Sequence, residues 1–439
     1  MEWALAVIAV SVLAVAAVSR PLTGSPVTPA MVIVAIGVLA GPKVLDSIDV
    51  SPLSSSVRTL AEATLTLVLF GDAARIDLRA IRRDRGVPIR LLGIGLPLTI
   101  VAGAGVGFAL FGSLSFAEAF VLAIVLAPTD AALGQSVVSE PRLPLRIRQG
   151  LNVESGLNDG ICVPLLLIAL AWAEADKHIG SASHVVRVVV EEIGYGLAGG
   201  LAAGALTAAV VTYAGRRDLI APPWRPVIPV AGAALAYGIA SALDGSGFIA
   251  AFVAGLTFTA LLRRDPEDLL GFNEELGNVL NAITFVTFGA ILLGPALGQV
   301  TWSIALYAVL SLTVVRMVPV AISLIGTSAR APTIAFLGWF GPRGLASIVF
   351  AVLVVEESGL PGENTIALIT YLTVGLSVFA HGLTAAPLAA RYAAWYAHRS
   401  GTPDAAMEDT EVAKLRTRGA SAHALTRTPE TSVSSRRAQ

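Results

Sequence analysis

Apolar residues run along most of this chain without the alternation of a half-buried strand. The runs are separated by short polar or basic connections and fall at 3–19, 27–42, 57–72, 87–112, 116–138, 150–173, 186–214, 226–242, 246–262, 269–294, 301–326, 331–356 and 363–390. A helix that crosses a bilayer needs about 20 mostly apolar residues, so the pattern predicts about thirteen membrane spans, the third and ninth being short. The fold class expected is all-α and polytopic. The first run lacks a basic n-region, with acidic Glu2 in its place, and reads as a retained helix rather than a leader.

Basic residues orient the spans. Odd-numbered connections carry Arg20, the arginines between Arg75 and Arg90, Arg142, Arg146, Arg148, Arg216, Arg217, Arg225, Arg263, Arg264 and Arg330. Even-numbered connections carry only Lys43, Arg58, Lys177 and Arg187. The positive-inside rule places the odd connections in the cytoplasm, the N-terminus outside and the C-terminus inside, as expected of a multi-pass protein of the cell (inner) membrane. Residues 1–395 form the membrane domain. Residues 396–439, rich in Ser, Thr, Ala and charge, read as a flexible cytoplasmic tail.

Composition sharpens the class. The 439 residues are 55% hydrophobic and 14% charged, with formal net charge −1 and mean hydropathy +0.75. A balanced charge gives no reason to expect a nucleic-acid partner. The single cysteine, Cys162, permits neither an intrachain disulfide nor a thiolate cage. With no nucleotide-binding or cofactor motif, uphill transport would draw on an ion gradient.

Two spans are interrupted. The fifth, FAEAFVLAIVLAPTDAALGQSVV, breaks at Pro128, Thr129 and Asp130. Proline removes a backbone donor, and broken backbone at membrane depth persists only where it is buried in protein or lines a cavity. Asp130 has two compatible roles, capping the second half-helix and lining a site. The twelfth span, APTIAFLGWFGPRGLASIVFAVLVV, breaks around Gly341, Pro342, Arg343 and Gly344. Spans five and twelve are equivalent if spans 1–6 and 8–13 are six-helix repeats of opposite topology. Paired broken helices in inverted repeats are where transporters place substrate.

The sixth span opens GLNVESGLNDGICVPLL. Ser155 and Asp159 are four residues apart and share a helix face, with Glu154 and Asn158 on the adjacent one. Carboxylates and hydroxyls suit a hard monovalent cation. Asp159, Asp130, Ser155 and Thr129 are therefore the candidate cation ligands. Burial favours the neutral form of a carboxylate, which would let Asp159 trade a proton for a cation. An unpaired Glu154 would be costly, and pairing it with Arg343, in the second broken span, is the economical expectation. Asp72, where the third span meets a basic connection, reads equally as the guard of an entrance or as a solvated helix end near Arg75. His381 in the last span reads as a polar packing residue before a proton carrier, and Asn278 and Asn281 as interhelical hydrogen-bond partners.

Taken together, PTDAALGQSVV, NVESGLNDG, GPRGLASIVF and HGLTAAPLA resemble the NhaP-type sodium/proton antiporters of the monovalent cation:proton antiporter superfamily. The resemblance implies thirteen helices, a homodimer, and a core of spans 4–6 and 11–13 moving against a dimerisation domain of spans 1–3 and 7–10. It implies that Asp159 exchanges cation for proton. Thr129, Asp130 and Ser155 carry over as further ligands, Glu154 and Arg343 as a core ion pair, and Asp72 as an acid at the site or its entrance. Asn158 before Asp159 is the electroneutral pattern. The activity implied is electroneutral Na+ or Li+ exchange for H+, serving pH homeostasis, with no cofactor. K+/H+ exchange is the alternative. A cation channel fits less well, since filter-like repeats are lacking, and an intramembrane enzyme lacks a nucleophile–base signature.

Overall fold

The computed structural model describes residues 2–22, 25–45, 55–76, 86–177, 182–262, 267–399 and 406–409. Among the described residues every regular element is helical. Each apolar run expected to span falls on helical structure. The helices are α1 (Glu2–Leu22), α2 (Pro29–Ala40), α3 (Ser55–Arg75) and α4 (Gly86–Leu110). Then follow α5 (Phe116–Val125), the short α6 (Gln135–Val138), α7 (Leu145–Asp176) and α8 (Val185–Arg216). Next come α9 (Val227–Ser241), α10 (Gly247–Leu261), α11 (Asp268–Gln299) and α12 (Trp302–Ser323). The last are α13 (Ala331–Trp339), α14 (Leu345–Glu357) and α15 (Glu363–Ala397). Seven helices among the described residues are long and apolar enough to cross a membrane by themselves: α1, α4, α7, α8, α11, α12 and α15.

Packing sorts the helices by neighbour. α3, α8, α9 and α10 interlock, and α11 lies against α2 and α3. Separately, α5 packs on α4 and α7, α13 on α12, and α15 on α12 and α14. The first group relies on close backbone approach. A Cβ at Gly200 would meet the Ala250 carbonyl at 2.6 Å, and one at Gly204 the Ala254 carbonyl at 2.6 Å. Small residues at such spacing let membrane helices touch where burial of apolar surface gives no advantage over lipid. On α1, Leu5, Leu13 and Val10 face outward and are more than 60% exposed.

The two interruptions lie where expected. α5 stops at Val125, and the chain runs without helix from Leu126 before short α6 begins at Gln135. α13 stops at Trp339, and α14 begins at Leu345.

The tail expected to be flexible is anchored at the one stretch beyond Arg399 that is described. Met407 is buried among Leu143, Ile147, Phe336, Phe340 and Tyr392. Its amide donates to the Ser328 carbonyl at 3.4 Å, and its carbonyl accepts from Arg146 Nη1 at 3.4 Å. α15 runs two residues into the expected tail, to Ala397; residues 400–405 and 410–439 and the basic residues Arg79, Arg82, Arg83, Arg85, Arg263 and Arg264 lie outside the described residues.

Candidate functional site

The two breaks cross and complete each other's backbone hydrogen bonding. A helix that stops inside a protein leaves carbonyls at its C-terminus and amides at its N-terminus without intrahelical partners. Here the Asp130 amide donates to the Pro342 carbonyl at 2.8 Å. Asp130 Oδ2 accepts from the Leu345 amide at 3.1 Å, at the start of α14. Asp130 Oδ1 accepts from the Ala132 and Leu133 amides at 2.7 and 3.3 Å. One carboxylate thus caps its own break and the N-terminus of the opposing half-helix, where the helix dipole favours a negative charge. Gly344 makes this approach possible, because a Cβ there would overlap the Asp130 carboxylate.

Arg343 supplies the complementary donors. Its Nη1 donates to the carbonyls of Ala127 and Pro128 at 2.5 and 3.2 Å, the acceptors that the end of α5 leaves open. The expected Glu154–Arg343 pair is therefore not what forms. Glu154 receives two hydrogen bonds from Arg316 on α12, Nη1 to Oε1 at 2.5 Å and Nη2 to Oε2 at 2.8 Å. Both side chains are 2% exposed. The orphan carbonyls of the fifth-span break claim Arg343, and a planar guanidinium from α12 meets the planar carboxylate in the two-point geometry that suits both. Arg316 is the functional residue that sequence reasoning missed. The signal was a lone arginine in the middle of the apolar run 301–326, a costly placement that requires a buried partner.

α7 carries the remaining polar face to the same crossing. Ser155 Oγ donates to the Thr129 carbonyl, and Asn158 Nδ2 donates to Thr129 Oγ1 at 2.7 Å. Asp159 lies on that face, four residues on from Ser155, and is 7% exposed. After donating its proton, the Ser155 hydroxyl keeps its lone pairs, and Asn158 Oδ1 is buried with no hydrogen-bond partner among the described residues. The structure thus brings Ser155 and Asn158 to Thr129, with Asp159 one helical turn on from Ser155, and turns Asp130 toward backbone amides. No group of three His, Cys, Asp or Glu side chains placed to hold a metal occurs among the described residues. A cation held here would draw on mixed hydroxyl, amide and carboxylate oxygens.

Asp72 lies where α3 meets α7. A Cβ on Gly156, three residues before Asp159, would be 3.7 Å from the Asp72 Cβ. Arg75 Nη1 is 3.5 Å from Asp72 Oδ1, and Arg75 Nη2 is 2.8 Å from Glu274 Oε2 on α11. Asp72 therefore stands close to the α7 polar face and within a charged cluster. His381, 2% exposed, faces the Trp339 carbonyl with Nε2 at 2.9 Å. Among the asparagines of α11, it is Asn273 whose Nδ2 reaches another helix, donating to the Leu67 carbonyl at 3.2 Å. Asn278 borders a small cavity between α3 and α11, and Asn281 Oδ1 is buried with no hydrogen-bond partner among the described residues.

Crossed interrupted helices, each capped by a charge from the other, define a polytopic membrane protein of the secondary-transporter class. The chain belongs to the sodium/hydrogen exchanger family. The transmembrane sodium/hydrogen exchanger model matches residues 7–391. A Na(+)/H(+) antiporter of Schizosaccharomyces pombe is 27% identical over 271 residues, covering 57% of this chain and 56% of that protein. The K(+)/H(+) antiporter NhaP of Alkalimonas amylolytica is 25% identical over 369 residues, covering 83% of this chain and 62% of that protein. The chain thus spans less than two thirds of the length of these relatives. The sodium proton antiporter MjNhaP1 from Methanocaldococcus jannaschii has the same fold, with TM-score 0.72 and 18% identity over 87% of this chain and 98% of that one.

Proposed function

We propose that the protein exchanges Na+ or Li+ for H+ across the cell membrane, one for one, with the two ions competing for Asp159 as the site faces each side in turn. The observation that carries this reading is the binding of Ser155 and Asn158, from the face of α7 that bears Asp159, to Thr129 in the fifth-span break. On this reading Asp159, one helical turn from Ser155, shares with those oxygen atoms the replacement of part of a cation's water shell. Glu154 is engaged by Arg316, and Asp130 by three backbone amides, so both have structural work beside the site.

Charge supports one-for-one exchange. Asn158 does not titrate, and Asp159 bears the same net charge with H+ or Na+ bound. Both loaded states then cross equally, whereas the empty carboxylate is held back by the apolar surroundings. The core of this reading is α4–α7 and α12–α15, moving against the remaining helices, through which two copies would associate. Thirteen spans in inverted repeats, with the N-terminus outside and the C-terminus in the cytoplasm, complete it.

K+ as the exchanged cation is the second reading, favoured by the K(+)/H(+) antiporter that matches over 83% of the chain. Proton flux in proteoliposomes driven by Na+, Li+ or K+ gradients tests both. Sodium or lithium flux that saturates, with little from potassium, is the expected result. Cation flux without proton movement would reject antiport altogether.

A further inference from the structure

One face of α15 holds both edges of the second break. Ser377, His381 and Thr384 follow one another at spacings of four and three residues and so lie in a row. Ser377 Oγ accepts from the Arg343 amide at 2.7 Å, on the far side of the interruption. His381 Nε2 lies 2.9 Å from the Trp339 carbonyl, on the near side. Thr384 Oγ1 accepts from Trp339 Nε1 at 3.0 Å, and the His381 ring lies over the indole with centroids 5.0 Å apart and planes 28° apart. Ser377 and His381 also meet, Oγ to Nδ1 at 3.1 Å.

A carbonyl oxygen only accepts, so a hydrogen bond to Trp339 requires the proton on His381 Nε2. His381 Nδ1 faces both the Ser377 hydroxyl and, at 3.0 Å, the Ser377 backbone carbonyl. Through these contacts the Arg343 amide, Ser377, His381 and the Trp339 carbonyl form one connected sequence. The ends of the interruption are thereby tied to a single continuous helix.

We infer that His381, with Ser377, is a positioning residue for the cation site, acting through the 340–345 segment rather than by binding an ion. The route is short. That segment supplies the Pro342 carbonyl and Leu345 amide that hold Asp130, and the Arg343 guanidinium that holds the Ala127 and Pro128 carbonyls. Thr129, between them, is where Ser155 and Asn158 of α7 bind. Loss of the His381 donor frees the end of α13 and shifts the segment against which Asp130 is set. The inference rests on the exchange reading above.

The test compares His381→Leu, His381→Gln, Ser377→Ala and the Ser377→Ala/His381→Leu double variant in proteoliposomes, with Asp159→Asn alongside and thermal unfolding of each purified protein. The amide of glutamine replaces the Nε2 donor, whereas leucine does not. His381→Leu is expected to raise the KM for the driving cation on the order of tenfold, as outer-shell changes at ion sites do, with a smaller change in kcat. His381→Gln restores most of that loss, and the double variant is no worse than the poorer single one. A wild-type KM in His381→Leu overturns the inference. So does equal impairment of KM in the Gln and Leu variants, or a loss in Tm and kcat with KM untouched. Exchange that persists in Asp159→Asn instead rejects the Asp159 reading and leaves the comparison of His381 variants standing, since their KM is read on whatever exchange remains.

Discussion

Glu154 on α7 and Arg316 on α12 meet through two parallel hydrogen bonds of 2.5 and 2.8 Å, with both side chains 2% exposed. The pair ties the helix bearing Asp159 to the helix that packs on α13. It lies one residue before Ser155, so its geometry also sets the rotation of the α7 polar face.

Removing one partner of a buried pair strands the other charge, at a cost of about 3–5 kcal/mol. Glu154→Gln and Arg316→Gln are therefore expected to lower the thermal stability of the detergent-purified protein sharply. The double variant loses less than the sum of the two, because neither charge is then left alone. A double-mutant cycle separates the partners: coupling is strong for Glu154 with Arg316 and weak for Glu154 with Arg343. Strong coupling only in the second cycle would reverse the pairing described here.

Gly344 offers a sharper probe of the crossing than any charge substitution. A Cβ at this position overlaps the Asp130 carboxylate, which is held in place by three amides. Gly344→Ala must displace either the start of α14 or Asp130. Overpacking of this kind costs about 1–3 kcal/mol, well below the loss for a stranded charge. Cation affinity is expected to fall while the protein still folds and purifies. Isothermal titration with Na+, together with the melting temperature, reads both quantities. Unchanged affinity would mean that Asp130 can move without consequence for the cation.

Much of this site was legible in the sequence because its motifs state their geometry locally. Pro128 announces a break, and helical spacing alone puts Ser155 and Asp159 on one face with Asn158 on the adjacent one. The pairing of charges was not legible. Arg343 and Arg316 both lie in apolar runs, and which one faces Glu154 depends on how spans five and twelve cross. That crossing leaves the Ala127 and Pro128 carbonyls without donors and draws Arg343 to them. The tail shows a similar limit. Met407 stands alone in a polar stretch, and only the folded surface around Phe336 and Tyr392 gives it somewhere to bury. His381 was visible as a lone histidine, but its partners are a backbone carbonyl 42 residues away and a serine whose own partner is another backbone amide.

One-for-one exchange has an electrical signature. Moving a net charge across the membrane couples transport to voltage at about 2.3 kcal/mol per charge per 100 mV. With Asn158 unable to titrate and Asp159 the single exchanging carboxylate of the proposed reading, each cycle is expected to carry no net charge. Transport in liposomes is expected to proceed at the same rate whether or not a potassium–valinomycin potential is imposed, the test being run with a sodium gradient. A rate that rises with the potential would mean that a second proton moves, with Asp130 its nearest source.

The proposed exchange turns on Asp159. A single carboxylate that binds H+ or a cation, but not both, suffices for exchange if the empty charged form does not cross. The apolar packing around α7, with Cys162 and Val163 buried one turn on, opposes transit of that form. Competition then dictates the pH profile. At low pH protons displace the cation, and apparent cation affinity weakens about tenfold per pH unit on the acid side of the site's titration. At high pH too few protons return, so activity is bell-shaped. Asp159→Asn keeps the shape of the side chain and removes the exchangeable charge. It is expected to abolish cation-driven proton flux while leaving the melting temperature near that of the parent. Flux measured with a pH-sensitive dye inside liposomes decides the point: a variant that still acidifies or alkalinises the lumen in response to sodium places the exchange chemistry elsewhere, and Asp130→Asn becomes the next substitution to measure.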